Sequence, residues 1–98
     1  MKIEKFWKNK NILITGGNGF IGSHLAQMLI KNKANVICVD KDFKNKNTYF
    51  FIEKLNLHCK YFNFSLNQKI KLNNIFKKYN IKYVFHLAAQ PEVMQAYD

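Results

Sequence analysis

Arginine is missing from this 98-residue chain: all sixteen Lys/Arg positions are lysine, against six Asp and Glu, for a formal net charge of +10. That lack weighs against a reader of nucleic-acid bases, because lysine cannot reproduce the guanidinium fork that grips a guanine edge. The lysines are also spread along the whole chain. Solvated faces explain them better than a binding footprint, and a basic surface drawing anionic ligands is the second reading. Proline occurs once and glycine four times, which excludes a low-complexity chain. Two cysteines, Cys38 and Cys59, make neither a disulfide framework nor a metal-ligand spacing. Cys38 lies in an apolar run and reads as a small core residue. No apolar run approaches the ~20 residues of a membrane span. Residues 1–10, polar and charged, lack the apolar segment of a signal peptide. A reducing cytoplasm is the expected compartment.

What is present is a hydrophobic share of 48%, enough for the core of one small domain and not two. Residues 1–10 predict a loose start, with Phe6 or Trp7 packing on the domain edge. Asn11–Thr15 reads as a strand whose unbroken Ile-Leu-Ile run suits burial on both faces. Phe20 to about Lys33 reads as a helix with Ile21, Leu25, Met28 and Leu29 on its inner face and Lys31 and Lys33 in its last turn. Val36–Val39 is a second strand ending at Asp40. Residues 41–48 are rich in Lys and Asn and predict a loop. Residues 49–55 predict a short helix, with Phe51 or Ile52 and Leu55 turned inward. Residues 60–64 alternate polar and aromatic side chains and predict a third strand. A helix follows over 67–79, with Leu72, Ile75, Phe76 and Tyr79 inward. Residues 82–87 are a fourth strand, closed by Ala88-Ala89-Gln90-Pro91, and Glu92–Asp98 begin another helix. Strands alternating with helices of this length imply an α/β fold with a parallel sheet and right-handed crossovers.

The chemistry is concentrated after the first strand. Gly16, Gly19 and Gly22 stand three apart, between a buried strand and a periodic helix, which is where a dinucleotide's pyrophosphate lies on a helix N-terminus. Amides near Asn18, Gly19, Phe20 and Ile21 are expected to point at phosphate oxygens. A plain strand-to-helix turn does not need three glycines in this register. Asp40 comes eighteen residues after Gly22, near the acidic residue expected about 20 residues on to take the adenosine ribose hydroxyls. Its carboxylate argues for NAD, while Lys41 and Lys44 leave NADP open. At the end of the fourth strand, Leu87, Ala88 and Ala89 are small enough to let a cofactor ribose or nicotinamide approach the backbone. Composition alone does not separate that role from close packing. His86, a lone histidine at a strand end, reads as a hydrogen-bonded structural residue.

Three segments together resemble the N-terminal half of an extended short-chain dehydrogenase/reductase, of the NAD-dependent nucleotide-sugar epimerase/dehydratase family. They are Thr15-Gly16-Gly17-Asn18-Gly19-Phe20-Ile21-Gly22-Ser23-His24-Leu25, Val39-Asp40 and Phe85-His86-Leu87-Ala88-Ala89-Gln90. A finer resemblance, to nucleotide-sugar 4,6-dehydratases of the CDP-glucose type, is carried by Phe6-Trp7-Lys8-x-Lys10, Ala88-Ala89-Gln90-Pro91-x-Val93 and Tyr97. The turn Gly16-Gly17-Asn18-Gly19-Phe20 departs from it, being the generic epimerase form. The resemblance implies the N-terminal half of a Rossmann-type doubly wound parallel sheet with strand order 3-2-1-4. It implies NAD as cofactor, a nucleotide-sugar substrate, and transient hydride transfer from a sugar carbon. It also places Ser65 where the family usually has an Asp facing the adenine amino group; a hydroxyl there lacks a carboxylate's charge assistance.

The family's Tyr-x-x-x-Lys pair, a phenol held low in pKa by an ammonium so that it acts as a base, is not in this chain. Tyr49, Tyr61, Tyr79 and Tyr83 are followed at the fourth place by Glu53, Ser65, Tyr83 and Leu87, and Tyr97 lies too near the end. No residue is therefore assigned a catalytic role, and no metal site is expected. The chain reads as residues 1–98 of an incomplete NAD(P)-binding Rossmann domain, a fragment of a lyase or isomerase. Alone, it is expected to turn nothing over and to bind dinucleotide weakly. Its nucleotide-sugar and homodimer partners belong to the full-length enzyme, with no nucleic acid or membrane. The rival reading is a non-catalytic nucleotide-binding module.

Overall fold

The computed structural model describes residues 3–88. Its elements are α1 (Ile3–Trp7), β1 (Asn11–Thr15), α2 (Phe20–Lys31), β2 (Asn35–Asp40), α3 (Tyr49–Ile52), a 3₁₀ turn (Leu55–Leu57), β3 (Lys60–Asn63), α4 (Lys69–Lys78) and β4 (Tyr83–His86). The strands form one sheet ordered β3-β2-β1-β4. Every pairing is parallel, with Ile14 opposite Cys38 on one side and Phe85 on the other, and Asp40 opposite Asn63. This is the expected sheet. All its strands point the same way, so Thr15, Asp40, Asn63 and His86 gather at one end.

Alternation along β1 and β2 divides the core in two. Ile12, Ile14, Val36 and Cys38 pack with Ala26 and Leu29 of α2 and with Phe43, Phe50 and Leu55. Leu13, Ile37 and Val39 pack on the other face with Phe64 and Ile75. Helices therefore cover both faces, as continuous apolar strands require.

The structure shifts several expected faces. α2 buries Gly22, Ser23, Ala26 and Leu29, whereas Ile21 is 69% exposed and Met28 is exposed too. The small residues let the helix backbone lie close to the sheet, and this turns the helix away from its bulkiest apolar side chains. In α3 it is Phe51, of the expected alternatives Phe51 and Ile52, that packs against the core with Leu55 as expected and with buried Phe50, while Ile52 is 66% exposed. On α4 the inward residue is Ile75, with Leu72 and Tyr79 beside it, while Phe76 is exposed. Lys33 lies beyond α2, in a left-handed conformation (φ 68°), and Ala34 N donates back to Leu29 O at 3.0 Å. The N-terminal stretch forms the short helix α1. Its Trp7 stands edge-on to Phe6 and Tyr83 at 4.8 and 5.4 Å between ring centroids. The helix expected over Glu92–Asp98 lies outside the described residues, as do Gln90, Pro91, Val93 and Tyr97.

Cys38 is fully buried. A hydrogen bond with the Cys59 thiol and burial hold its thiol well above the usual cysteine range, with the charges of Cys59 and Asp40 pushing the same way. The folded state thus favours the protonated thiol. The stability this gives is complete below the unfolded thiol's pKa of about 8.5 and is lost progressively as pH rises from there toward the folded thiol's higher value. Urea denaturation between pH 8 and 9.5 should show this decline, and Cys38→Ala should flatten it.

Candidate functional site

The first loop is shaped by what its glycines touch. Gly16 has φ +80°, and a Cβ there would stand 2.8 Å from Ala88 N and Leu87 C. A Cβ on Gly22 would run into the Gly16 carbonyl oxygen. Gly17, outside the three-residue spacing, faces β2: a Cβ would lie 2.7 Å from Cys38 Cβ. Gly19 alone has room, its nearest neighbour being Gly16 O at 3.4 Å. Three glycines are therefore required by protein packing, and the fourth borders open space.

Gly19 is also the N-cap of α2, with no side-chain cap. Its own N–H donates to Gly16 O at 3.1 Å, and its carbonyl accepts from Ser23 N at 2.9 Å. Among the described residues, no acceptor takes the N–H of Phe20, Ile21 or Gly22. Three unpaired donors at the positive end of a twelve-residue helix, beside a residue without a side chain, suit an anion. The Phe20 side chain, 75% exposed, lies tilted at 46° against His24 at 4.3 Å between ring centroids, and His24 stacks in turn on Tyr49 at 3.8 Å.

Asp40 turns toward this loop. Its Oδ2 accepts from Asn18 N at 2.9 Å and its Oδ1 from Asp42 N at 2.8 Å. The Asn18 and Gly19 amides are both used internally, so of the four expected donors Phe20 and Ile21 remain, and the structure adds Gly22. Nor does the Asn18 side chain face the open space. It is buried, donating through Nδ2 to Asp42 O and Asn45 O at 2.8 and 3.1 Å and accepting from Thr48 Oγ1 at 2.6 Å.

Across β1, Thr15 Oγ1 accepts from Leu87 N at 3.0 Å and Ala88 N at 3.3 Å, and lies 2.8 Å from His86 Nδ1. His86 has the structural hydrogen bond expected of it. Thr15→Val removes this hub while keeping its shape and should cost about 1–2 kcal/mol in urea denaturation, with Thr15→Ser retaining most of the stability. Leu87 is exposed and Ala88 half-buried at this same end; Ala89 lies outside the described residues. Ser65 follows β3 and is used locally, its carbonyl accepting from Gln68 N at 3.0 Å. Phe43 and the side chains of Thr15, Asn18 and Thr48 carry the site's framework without being visible in residue spacing. Among the described residues, no group of three or more His, Cys, Asp or Glu is placed to hold a metal. Nor is any helix there long and apolar enough to cross a membrane.

A parallel 3-2-1-4 sheet, with a glycine turn leaving its first strand and a carboxylate ending its second, defines a Rossmann-type nucleotide-binding fold. The chain belongs to the GDP-mannose 4,6 dehydratase family, whose model it matches over residues 13–98. It is 32% identical to CDP-glucose 4,6-dehydratase of Salmonella typhimurium over 97% of this chain and 26% of that protein. The solved UDP-glucose 4-epimerase of Thermotoga maritima, determined with UDP-glucose, is 41% identical, with a TM-score of 0.69 over 88% of this chain and 26% of that one. UDP-glucose 4-epimerase of Thermus thermophilus, solved as a complex with NAD, is 30% identical, with a TM-score of 0.67 over 82% and 24% of the two chains. The chain spans between 12% and 26% of the length of the curated relatives it matches.

Proposed function

We propose that residues 1–98 are the N-terminal part of an NAD-binding domain in a nucleotide-sugar 4,6-dehydratase or epimerase. One observation carries this reading: the unpaired amides of Phe20, Ile21 and Gly22 border the gap at Gly19, and Asp40 is bonded to the same loop through Asn18 N at 2.9 Å. The amides would hold the pyrophosphate. Each Asp40 oxygen accepts one backbone N–H and keeps a second lone pair for a ribose hydroxyl. Ser65 would meet the adenine, and Leu87, Ala88 and Ala89 the nicotinamide side. Bound there, NAD would supply a reversible hydride acceptor for a sugar carbon. The catalytic base, the nucleotide-sugar pocket and a homodimer contact are assigned to the full-length enzyme, acting in the cytoplasm.

Calorimetry on the 98-residue chain with NAD, NADP and ATP tests the reading. NAD is expected to bind, weakly, ahead of NADP. Asp40→Asn should weaken it about tenfold or more, because an amide cannot accept at both oxygen positions. No sugar-nucleotide dehydration is expected from this chain alone. Preference for ATP over NAD would favour a non-catalytic nucleotide module, and uptake of none of the three would overturn the assignment.

A further inference from the structure

We propose that Asn18 is a positioning residue that sets the ribose specificity of the site, because its buried side chain fixes the loop that aims the Asp40 carboxylate. This rests on the dinucleotide reading above and deepens it.

The connection can be followed bond by bond. Asn18 Nδ2 donates to the Asp42 carbonyl at 2.8 Å, and the N–H of the same Asp42 donates to Asp40 Oδ1 at 2.8 Å. Asn18's own backbone N–H donates to Asp40 Oδ2 at 2.9 Å. One residue therefore governs both carboxylate oxygens, one directly and one through Asp42. The second Nδ2 hydrogen reaches the Asn45 carbonyl at 3.1 Å, and Thr48 Oγ1 donates to Asn18 Oδ1 at 2.6 Å. Both amide hydrogens and the amide oxygen are thus engaged, and all three partners lie in the segment between β2 and α3. Among the described residues, no buried side-chain nitrogen or oxygen lacks a partner.

Apart from Asn18, the segment is anchored by Phe43, which is buried and whose N–H donates to Asn63 Oδ1 at 3.2 Å. Phe43 bonds to neither Asp40 oxygen, so the aim of the carboxylate is left to the Asn18 bonds. The segment has no regular secondary structure, and Lys41, Asp42, Lys44, Asn45, Lys46 and Asn47 are exposed. A loop of that kind loses conformational entropy when it closes on a ligand. Asn18 fixes it beforehand, so the carboxylate meets the ribose diol already oriented.

The test compares ADP with 2′,3′-dideoxy-ADP by calorimetry on the 98-residue chain and on Asn18→Ala. Wild type should bind ADP about tenfold more tightly than the dideoxy analogue, the value of hydrogen bonds to a charged group. In Asn18→Ala that ratio should fall to about twofold or less, with most of the loss in ADP binding. A merely structural role would weaken both ligands equally, and an unchanged ratio would overturn the proposal. Thr48→Val keeps the loop's shape and removes only the bond to Asn18 Oδ1. Its ratio should fall between those of wild type and Asn18→Ala, and it carries the test if the alanine variant does not fold; an unchanged ratio in Thr48→Val would then overturn the proposal. If wild type binds both ligands equally, Asp40 does not hold the ribose and the proposal is wrong. If wild type takes up neither NAD nor ADP, the dinucleotide reading itself fails.

Discussion

Gly22→Ala is expected to lower the melting temperature by about 15 °C, from a destabilisation of about 3 kcal/mol in a domain of this size. The same variant should take up no nucleotide. The new methyl group would meet the Gly16 carbonyl oxygen, with Gly16 C at 2.9 Å and Gly17 Cα at 3.2 Å. All three are backbone atoms, so no side-chain rotation relieves the clash. Relief requires α2 to move away from the loop, and that disturbs the bond from Ser23 N to Gly19 O and the packing of Ala26 and Leu29 against β1 and β2. It also displaces the three free amides. Gly19→Ala is the contrasting case. Its φ of −77° is open to any residue, and its Cβ would find ordinary contact at 3.4 Å. It should melt within a few degrees of wild type yet bind NAD more weakly, because the methyl group fills the gap beside the donors. Thermal melts followed by circular dichroism, with calorimetry on both variants, decide the matter. A Gly22→Ala protein that melts with wild type would refute the packing argument.

Phe43→Ala is expected to cost about 3–5 kcal/mol, the range for truncating a buried phenylalanine. A domain of this length has a total stability of about 5–15 kcal/mol, so the loss is a large part of the whole. Phe43 is 1% exposed. Its ring lies 4.9 Å from that of Phe50, 5.0 Å from Tyr61 and 6.1 Å from Phe51. Its backbone N–H donates to Asn63 Oδ1 at 3.2 Å, a bond alanine keeps, so what the substitution removes is the ring packing that holds the loop against α3 and β3. Two readouts should move together: the urea midpoint should fall, and amide exchange over residues 41–48 should accelerate. Phe20→Ala, at a position 75% exposed, should change stability by only about 0.5 kcal/mol. Equal effects at the two phenylalanines would contradict the burial described.

The layered sheet was readable in advance because its signals are local. Ile12-Leu13-Ile14 and Val36-Ile37-Cys38-Val39 are short, continuous and apolar, and such runs fit a strand covered on both faces. The helix faces were less readable. Hydropathy selects Ile21 and Met28, but Gly22 and Ala26 win the inner position because their small size allows close approach. Phe43 is surrounded by lysine and asparagine, and composition assigns such a stretch to solvent. Only the three rings facing it, two in α3 and one in β3, show that this residue anchors the loop. The glycine spacing correctly marked the turn, but three of the four glycines answer to protein neighbours. Asn18 was visible as part of the motif through its main chain. Its side-chain bonds to residues 42, 45 and 48 span 24 to 30 positions, and no periodicity encodes a link of that length.

The Thr15 hydroxyl has a consequence for the ring beside it. An sp³ oxygen has two lone pairs and one hydrogen. Leu87 N shares its one hydrogen between the Thr15 carbonyl and hydroxyl oxygens, each at 3.0 Å, and Ala88 N reaches the hydroxyl at 3.3 Å. A hydroxyl that can both give and take a hydrogen bond suits His86 Nδ1 at 2.8 Å in either tautomer. The tip of β4 is therefore latched to β1 by a side chain as well as by the ladder, whichever nitrogen of the ring carries its hydrogen.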